Sequence, residues 1–265
     1  MHKRIQNIRQ KDNTQKTSWG NVAGWYDNLL KKENTYQSEV ILPNLLKMMN
    51  IKSTDNVLDL GCGQGFFSIE FAKLCARVKG VDISKDLINI AKQKGISNSS
   101  FEISSADNLS FIKNEDFDKI VIVLALQNIA NLKGTISECF RVLKPKGRLF
   151  IVLNHPAFRV PQKSDWGYDD RKKVQYRRVE KYLSEYLINI DMNPGEKMIK
   201  MKKYTVSFHR PLQTYFRDLK TAGFFVSGFE EWISNKKSQN GPKQKVEDLA
   251  RKEIPMFACI EAIKN

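Results

Sequence analysis

The stretch VLDLGCGQG, Val57 to Gly65, runs an apolar segment into a turn with glycines at 61, 63 and 65 and an acid, Asp59, at the junction. Glycine accepts backbone angles that other residues resist and puts no Cβ above the turn. Such a turn lets a ligand come close to the main chain. Two more acids follow. Asp82 lies in GVDIS, about seventeen residues after Gly65, where a carboxylate can accept hydrogen bonds from ribose hydroxyls. Asp107 lies in SSADNLSF, after a further apolar segment, and can mark the far edge of an adenine. Glycines, acid and acid in that order describe a nucleoside site, although each acid equally suits a helix cap or a solvated turn. Two histidines stand further on, His155 in LNHPAF and His209 in SFHRPL. Histidine titrates near neutrality, so each is a candidate general base or, alternatively, a hinge or capping residue. Arg210, beside His209, suits an acidic substrate group, a phosphate or a helix end.

The glycine spacing is G-x-G-x-G, whereas the dinucleotide fingerprint is G-x-G-x-x-G. A pyrophosphate seeks a helix N-terminus with no carboxylate nearby. Asp59 would repel it, but suits a cationic amino-acid moiety, directly or through water. A dehydrogenase is disfavoured on both grounds.

These residues need a frame that delivers them to one edge. Residues 56–60, 80–83, 100–104, 117–124 and 148–153 have the pattern of five strands, and FDKIVIVL at 117–124 is apolar enough for burial on both faces. Helical spacing marks 40–49 despite Pro43, then 66–78, then a segment from the N-cap Ser84 to about Lys94, then 136–143, which ends at the turn signal KPKG. Alternating strands and helices predict right-handed crossovers and a mostly parallel α/β sheet, with ligands at the carboxyl ends of the strands. Residues 154–210 break the rhythm with Pro156, Pro161 and Pro194 and are expected to form an insertion acting as a lid. Its segments SDWGYDD and QYRRVEKYLSEY are rich in Trp, Tyr and Arg, a mixture that favours planar or anionic groups. A helix between Pro211 and Gly223 resumes the rhythm, and strands 224–232 and 256–263 close the chain around the loop SNKKSQNG. Residues 1–17 have no apolar periodicity and are expected to be a flexible basic tail on a domain spanning 18–265.

Composition bounds the partners. The 265 residues are 41% hydrophobic, enough for the core of one large α/β domain. No apolar run approaches the ~18 residues that span a bilayer, so integral membrane association is not expected. The N-terminus lacks an apolar segment of the secretory kind. Cys62, Cys75, Cys139 and Cys259 are scattered without a CxxC pair, which favours buried thiols in a reducing cytosol over a metal site or disulfide framework. The net charge is +15, with +4 in residues 1–17 and +6 in residues 159–210. A nucleic-acid partner is the alternative this charge raises.

VLDLGCGQG resembles motif I of class I S-adenosylmethionine-dependent methyltransferases. GVDIS, SSADNLSF, FDKIVIVLALQNI and RVLKPKGRLFIV are similar, in order, to the segments that follow it in that family. The resemblance covers roughly residues 19–153 and the last two strands. It implies a three-layer α/β/α Rossmann-like sandwich with a seven-stranded sheet in the order 3-2-1-4-5-7-6, the seventh strand antiparallel. It implies that Gly61, Cys62 and Gly63 line the methionine part of S-adenosylmethionine, with Asp59 steering its amino group. Asp82 would hold the ribose, Ile83 would pack on the adenine, and Ala106 and Asp107 would flank the adenine edge. The backbone at Leu124 and Ala125 would face the methionine amine, with Gln127 nearby. Trp19, Trp25 and Tyr26 resemble the aromatic segment that closes over the cofactor.

The segment 205–224, TVSFHRPLQTYFRDLKTAGF, resembles small-molecule members of the family. The expected reaction is methyl transfer to a small acceptor, with His155 or His209 as the base. RNA methylation through the basic segments is a competing expectation, but LALQ at 124–127 lacks the NPPY-like tetrad of exocyclic amine methylation. A non-catalytic cofactor-binding protein is another, and it would predict damage to motif I that VLDLGCGQG does not show.

Overall fold

Residues 34–191 and 204–265 are described by a computed structural model. A π-helical turn, Gln37–Ile41, leads directly into α1 (Leu42–Met49). Pro43 falls in the first turn of α1, where its missing N–H is no loss, and Asn50 closes the helix with φ +43. The chain then alternates: β1 (Asn56–Leu60), α2 (Phe66–Ala72), β2 (Arg77–Asp82), α3 (Lys85–Gln93), β3 (Ser99–Ile103), β4 (Phe117–Val123), α4 (Leu132–Val142) and β5 (Leu143–Asn154). The Ser84 side chain accepts from Leu87 N–H and caps α3 as expected.

After β5 the alternation stops. β6 (Ser164–Asp169) pairs antiparallel with β7 (Val174–Val179), and β8 (Tyr186–Asp191) with β9 (Tyr204–His209). The described part of the insertion is thus two antiparallel pairs. The helical rhythm returns with α5 (Leu212–Ala222), β10 (Phe224–Trp232), α6 (Gln244–Glu253) and β11 (Phe257–Lys264).

Seven strands form one sheet in the order β3-β2-β1-β4-β5-β11-β10. β1 to β5 are mutually parallel, and β11 runs antiparallel to both neighbours. With the insertion's strands set aside, this is the expected 3-2-1-4-5-7-6 order. Successive side chains of a strand face opposite ways. Leu58 and Leu60 of β1 therefore join Ile120, Ile136 and Leu219 on the face covered by α4 and α5. Val57 joins Val121, Phe150, Phe71 and Leu45 on the face covered by α1 and α2. All four cysteines are free, buried thiols. Among the described residues no helix is long and apolar enough to cross a membrane.

The structure corrects three boundaries. The helix expected over 66–78 ends at Ala72, because Arg77 and Val78 pair with Asn56 and Val57 in the sheet. Its apolar spacing continues past its end because Cys75 and Val78 bury into the same core as Phe71. The KPKG turn is an excursion within β5: the pairing jumps from Phe117↔Leu143 to Lys119↔Arg148, with Lys146 at φ +65. Helix α6 follows the SNKKSQNG loop with Ala250 as its sole buried residue, so it carries almost no apolar signal.

Asp55, just before β1, forms an ion pair with Lys119 of β4, and both are largely buried. Asp55 Oδ2 also accepts from the Lys52 N–H at 2.7 Å. Removing one partner of such a pair leaves a buried charge uncompensated, whereas removing both does not. Asp55→Ala is expected to cost about 3 kcal/mol in urea denaturation, and the double variant with Lys119→Met to recover part of that loss. Equal destabilisation of the single and double variants would contradict this role.

Candidate active site

β1 ends where the glycines begin. Gly61 and Cys62 both donate N–H groups to the Val81 carbonyl, at 2.7 and 3.1 Å, so the turn is stitched to the end of β2. Gly61, Gly63 and Gly65 have φ of +78, +55 and +79. A Cβ on Gly61 would lie 2.4 Å from Ala125 Cβ, a distance real side chains do not tolerate. Asp82, at the end of β2, locks the turn from the side. Its Oδ2 accepts from Gly63 N–H at 2.9 Å and its Oδ1 from Ser84 N–H at 2.8 Å. Each carboxylate oxygen keeps a second lone pair for an incoming hydroxyl. Burial pushes Asp82 above the usual carboxylate range, against those two N–H groups.

One cavity of about 1390 Å³ opens above the turn. Of the residues expected at the cofactor, Gly61, Cys62, Gly63, Asp82, Ile83, Ala106, Asp107, Leu124 and Gln127 all line it. Ile83 leaves 45% of its surface exposed there, an apolar face beside a carboxylate. Asp107 is held below its ordinary range by the Ser105 hydroxyl, and Asn131, the N-cap of α4, donates to it at 2.8 Å. Leu124 holds φ +53 with its N–H on the Val152 carbonyl at 2.8 Å. That left-handed angle costs a non-glycine residue roughly 1–2 kcal/mol and is a kind of strain that gathers at functional sites.

Asp59 sits elsewhere than expected. It is buried beneath the turn, outside the cavity wall, and its Oδ2 accepts from the Ser68 hydroxyl at 2.6 Å. Burial, reinforced by the charge of Asp82, raises its pKa from 3.8 to about 7.

Neither His155 nor His209 lines the cavity. His155 Nε2 is 2.6 Å from Glu231 Oε1 on β10, and its Nδ1 accepts from the N–H groups of Ala157 and Phe158 at 3.2 and 3.3 Å. His209 Nε2 bonds the Tyr182 carbonyl at 2.7 Å. Burial lowers the pKa of both. Arg210 donates to the carbonyls of Ile129 and Ala130 at 2.8 and 2.9 Å, closing the short helical turn after β4. His155 and Arg210 fasten the two ends of the insertion to the sheet and the turn after β4, while His209 makes its contact within the insertion. The capping and hinge alternative is the one the geometry supports, and the general-base expectation for the two histidines is withdrawn.

Trp19, Trp25 and Tyr26, and the tail 1–17, lie outside the described residues. Tyr36, Arg159, Arg177 and Thr205 line the cavity, and sequence reasoning did not single them out. The +6 charge of residues 159–210 and the QYRRVEKYLSEY segment carried the only signal for the arginines, and it was compositional.

Residues 51–171 match the family model described as a methyltransferase domain. The chain is 35% identical over 113 residues to the demethylmenaquinone methyltransferase of Tropheryma whipplei, covering 42% of this chain and 46% of that protein. It is 32% identical over 98 residues to the ubiquinone biosynthesis O-methyltransferase of Xanthomonas oryzae pv. oryzae, covering 36% and 41%. The crystal structure of a putative S-adenosylmethionine-dependent methyltransferase from Listeria monocytogenes matches with a TM-score of 0.65 at 25% identity, over 84% of this chain and 96% of that one. Residues 51–171 are thus those of a methyltransferase domain, and the chain is similar to class I S-adenosylmethionine-dependent methyltransferases. The match spans less than half the length of either named relative.

The cofactor of these methyltransferases is S-adenosylmethionine, and the donor set fits it. The glycine turn leaves a cradle that a Cβ would fill, Asp82 keeps lone pairs for hydroxyls, and Ile83 offers an apolar face to a flat base.

Asp59 gives this protein a measurable pH signature. Between about pH 4 and about pH 7 the folded chain holds a proton on Asp59 that the unfolded chain has released. Stability therefore falls as pH rises through that window, by at most about 1.4 kcal/mol per pH unit. Asp59→Asn is expected to remove this component, so its advantage over the wild type grows from about pH 4 to about pH 7 and then levels off. A stability difference independent of pH in denaturant titrations would contradict the buried carboxyl.

Proposed function

We propose that this protein transfers the methyl group of S-adenosylmethionine to a small-molecule acceptor held between the glycine turn and the insertion. One observation carries the reading. A single cavity is bounded on one side by Gly61, Gly63 and Asp82, and on the other by Arg159, Ser164 and Thr205 of the insertion. S-adenosylmethionine, when bound, supplies a methyl carbon already activated by its sulfonium. The chain's own task is then to orient, to exclude water and to hold the acceptor in line.

Asp82 accepts the ribose hydroxyls, and Ile83 packs against the adenine. Ala106 and Asp107 flank the adenine edge, and Asp107 is kept ionised by Ser105 and Asn131. Gly61 and Gly63 let the methionine part lie against the turn, and the backbone at Leu124 and Gln127 borders its amino group. Gln127 is itself oriented, since its Oε1 accepts from Asn154 N–H at 3.2 Å. The insertion, as lid, closes the acceptor side.

The two named relatives are called methyltransferases of quinone pathways, which supports a small acceptor. The insertion's basic residues support it too. Arg159 and Arg177 line the cavity, Arg210 closes a turn, and Arg178 pairs with Asp165 at 3.0 Å. Two of these arginines line the cavity and the other two are held by partners, which leaves fewer for a nucleic-acid surface.

Purified protein incubated with methyl-labelled S-adenosylmethionine and a fractionated cell extract is expected to label the small-molecule fraction. Asp82→Ala is expected to weaken S-adenosylhomocysteine binding about 10- to 100-fold, as lost hydrogen bonds to a charged acceptor would. Nuclease-sensitive label would contradict the small acceptor. Unchanged affinity in a folded Asp82→Ala variant would contradict the site.

A further inference from the structure

The charges of the cavity are sorted by origin. Its acids, Asp82 and Asp107, belong to the strand ends beside the glycine turn, while its guanidinium groups, Arg159 and Arg177, belong to the insertion. Arg177 stands directly opposite Trp166 across the β6–β7 pair, with its guanidinium 5.3 Å from the ring centroid. Arg159, from the segment after β5, approaches the same ring at 5.7 Å. One indole thus gathers two like charges. Such a pair repels unless an anion lies between or before it.

No carboxylate of the described residues forms an ion pair with either. Asp165, on the same hairpin, is paired with Arg178. Arg177 donates Nε to the Phe158 carbonyl at 2.9 Å and Nη2 to Ser164, at 3.2 Å to the carbonyl and 2.8 Å to the hydroxyl, which leaves Nη1 uncommitted. Arg159 makes no side-chain hydrogen bond among the described residues, and its buried Nε has no partner. Burial, then the nearby Arg177 and Arg251, press Arg159 below its ordinary range. Thr205, 4% exposed on the same insertion wall, has a buried hydroxyl that is likewise unpartnered. Buried donors without acceptors are rare in folded proteins because they are costly, and here two, Arg159 Nε and Thr205 Oγ1, belong to residues lining one cavity. Val160, Pro161, Ile190 and Phe208 give the surrounding wall an apolar character.

We propose that Arg159 and Arg177 form an anion subsite for the methyl acceptor, which is a small organic carboxylate or phosphate ester with an apolar body. This deepens the methyl-transfer reading and rests on it for the identity of the occupant. The guanidinium fork supplies paired N–H groups that match either anion, and Thr205 supplies a third donor. The anionic group is an anchor that fixes the acceptor, so the arginines are positioning residues.

Benzoate and phenyl phosphate serve as anionic probes, with benzamide as the neutral isostere. Each is titrated into the full chain saturated with S-adenosylhomocysteine, with Trp fluorescence as the readout and the Trp166→Phe variant as the blank. At least one anion is expected to bind about ten-fold more tightly than benzamide. Arg159→Gln is expected to abolish that preference and leave benzamide and S-adenosylhomocysteine affinities unchanged. Arg177→Lys, which keeps the charge and loses the fork, is expected to weaken the anion several-fold and serves if Arg159→Gln fails to fold by circular dichroism. Absence of any anion preference in the wild type, including no binding by any probe, overturns the proposal. Loss of S-adenosylhomocysteine affinity in Arg159→Gln overturns it differently, by assigning the arginines to the cofactor's own carboxylate. If S-adenosylhomocysteine fails to bind the wild type, the methyl-transfer reading falls, while the anion preference can still be measured without it.

Discussion

The close approach of β4 to the glycine turn is the constraint from which the rest follows. Ala125 Cβ occupies the space that a side chain at Gly61 would need. Only a glycine lets β1 end there, and only the positive φ angles that follow let the chain turn back into α2. Once the turn lies flat, its N–H groups reach the Val81 carbonyl and the Asp82 carboxylate. The same hydrogen bonds that shape the turn therefore fix Asp82 at the rim of the cavity. Phe101 adds a second constraint from below, since a Cβ on Gly80 would fall 2.5 Å from its ring.

The insertion adds a second wall to this floor. Its ends are fastened by polar contacts, His155 to Glu231 of β10 and Arg210 to the carbonyls after β4, while His209 bonds the Tyr182 carbonyl within the insertion. Histidines at the edge of such a sheet invite a catalytic role, but burial and ring-nitrogen hydrogen bonds to the protein itself favour a structural one for these two. The result is a cavity with carboxylates at one source and guanidinium groups at the other. On the proposed reading, such polarity orients cofactor and acceptor differently.

The sheet was legible because its strands are short, apolar and regularly spaced. FDKIVIV at β4 has only Asp118 outside the fully buried class, and its parallel neighbours follow from alternation alone. The cofactor side was legible for the same reason: residues just past a strand end, such as Asp82, Ile83 and Asp107, are carried to one edge by topology. The acceptor side was not. Arg159 and Arg177 meet at Trp166 through hairpin register and a loop path, and no local period encodes either. Asp59 misled for a different reason. Alternation along β1 puts it on the face of Val57, where it meets Ser68 of α2 beneath the turn. Helix α6, polar apart from Ala250, left no apolar pattern to find.

One cavity is proposed to hold two ligands in a fixed order. A crystal structure of the full chain with S-adenosylhomocysteine tests it most directly. The expected density places both ribose hydroxyls on Asp82, the adenine against Ile83, and the sulfur facing the wall that carries Arg159 and Thr205. A nucleoside lodged away from Asp82, or an adenine seated on the insertion, would contradict the central claim.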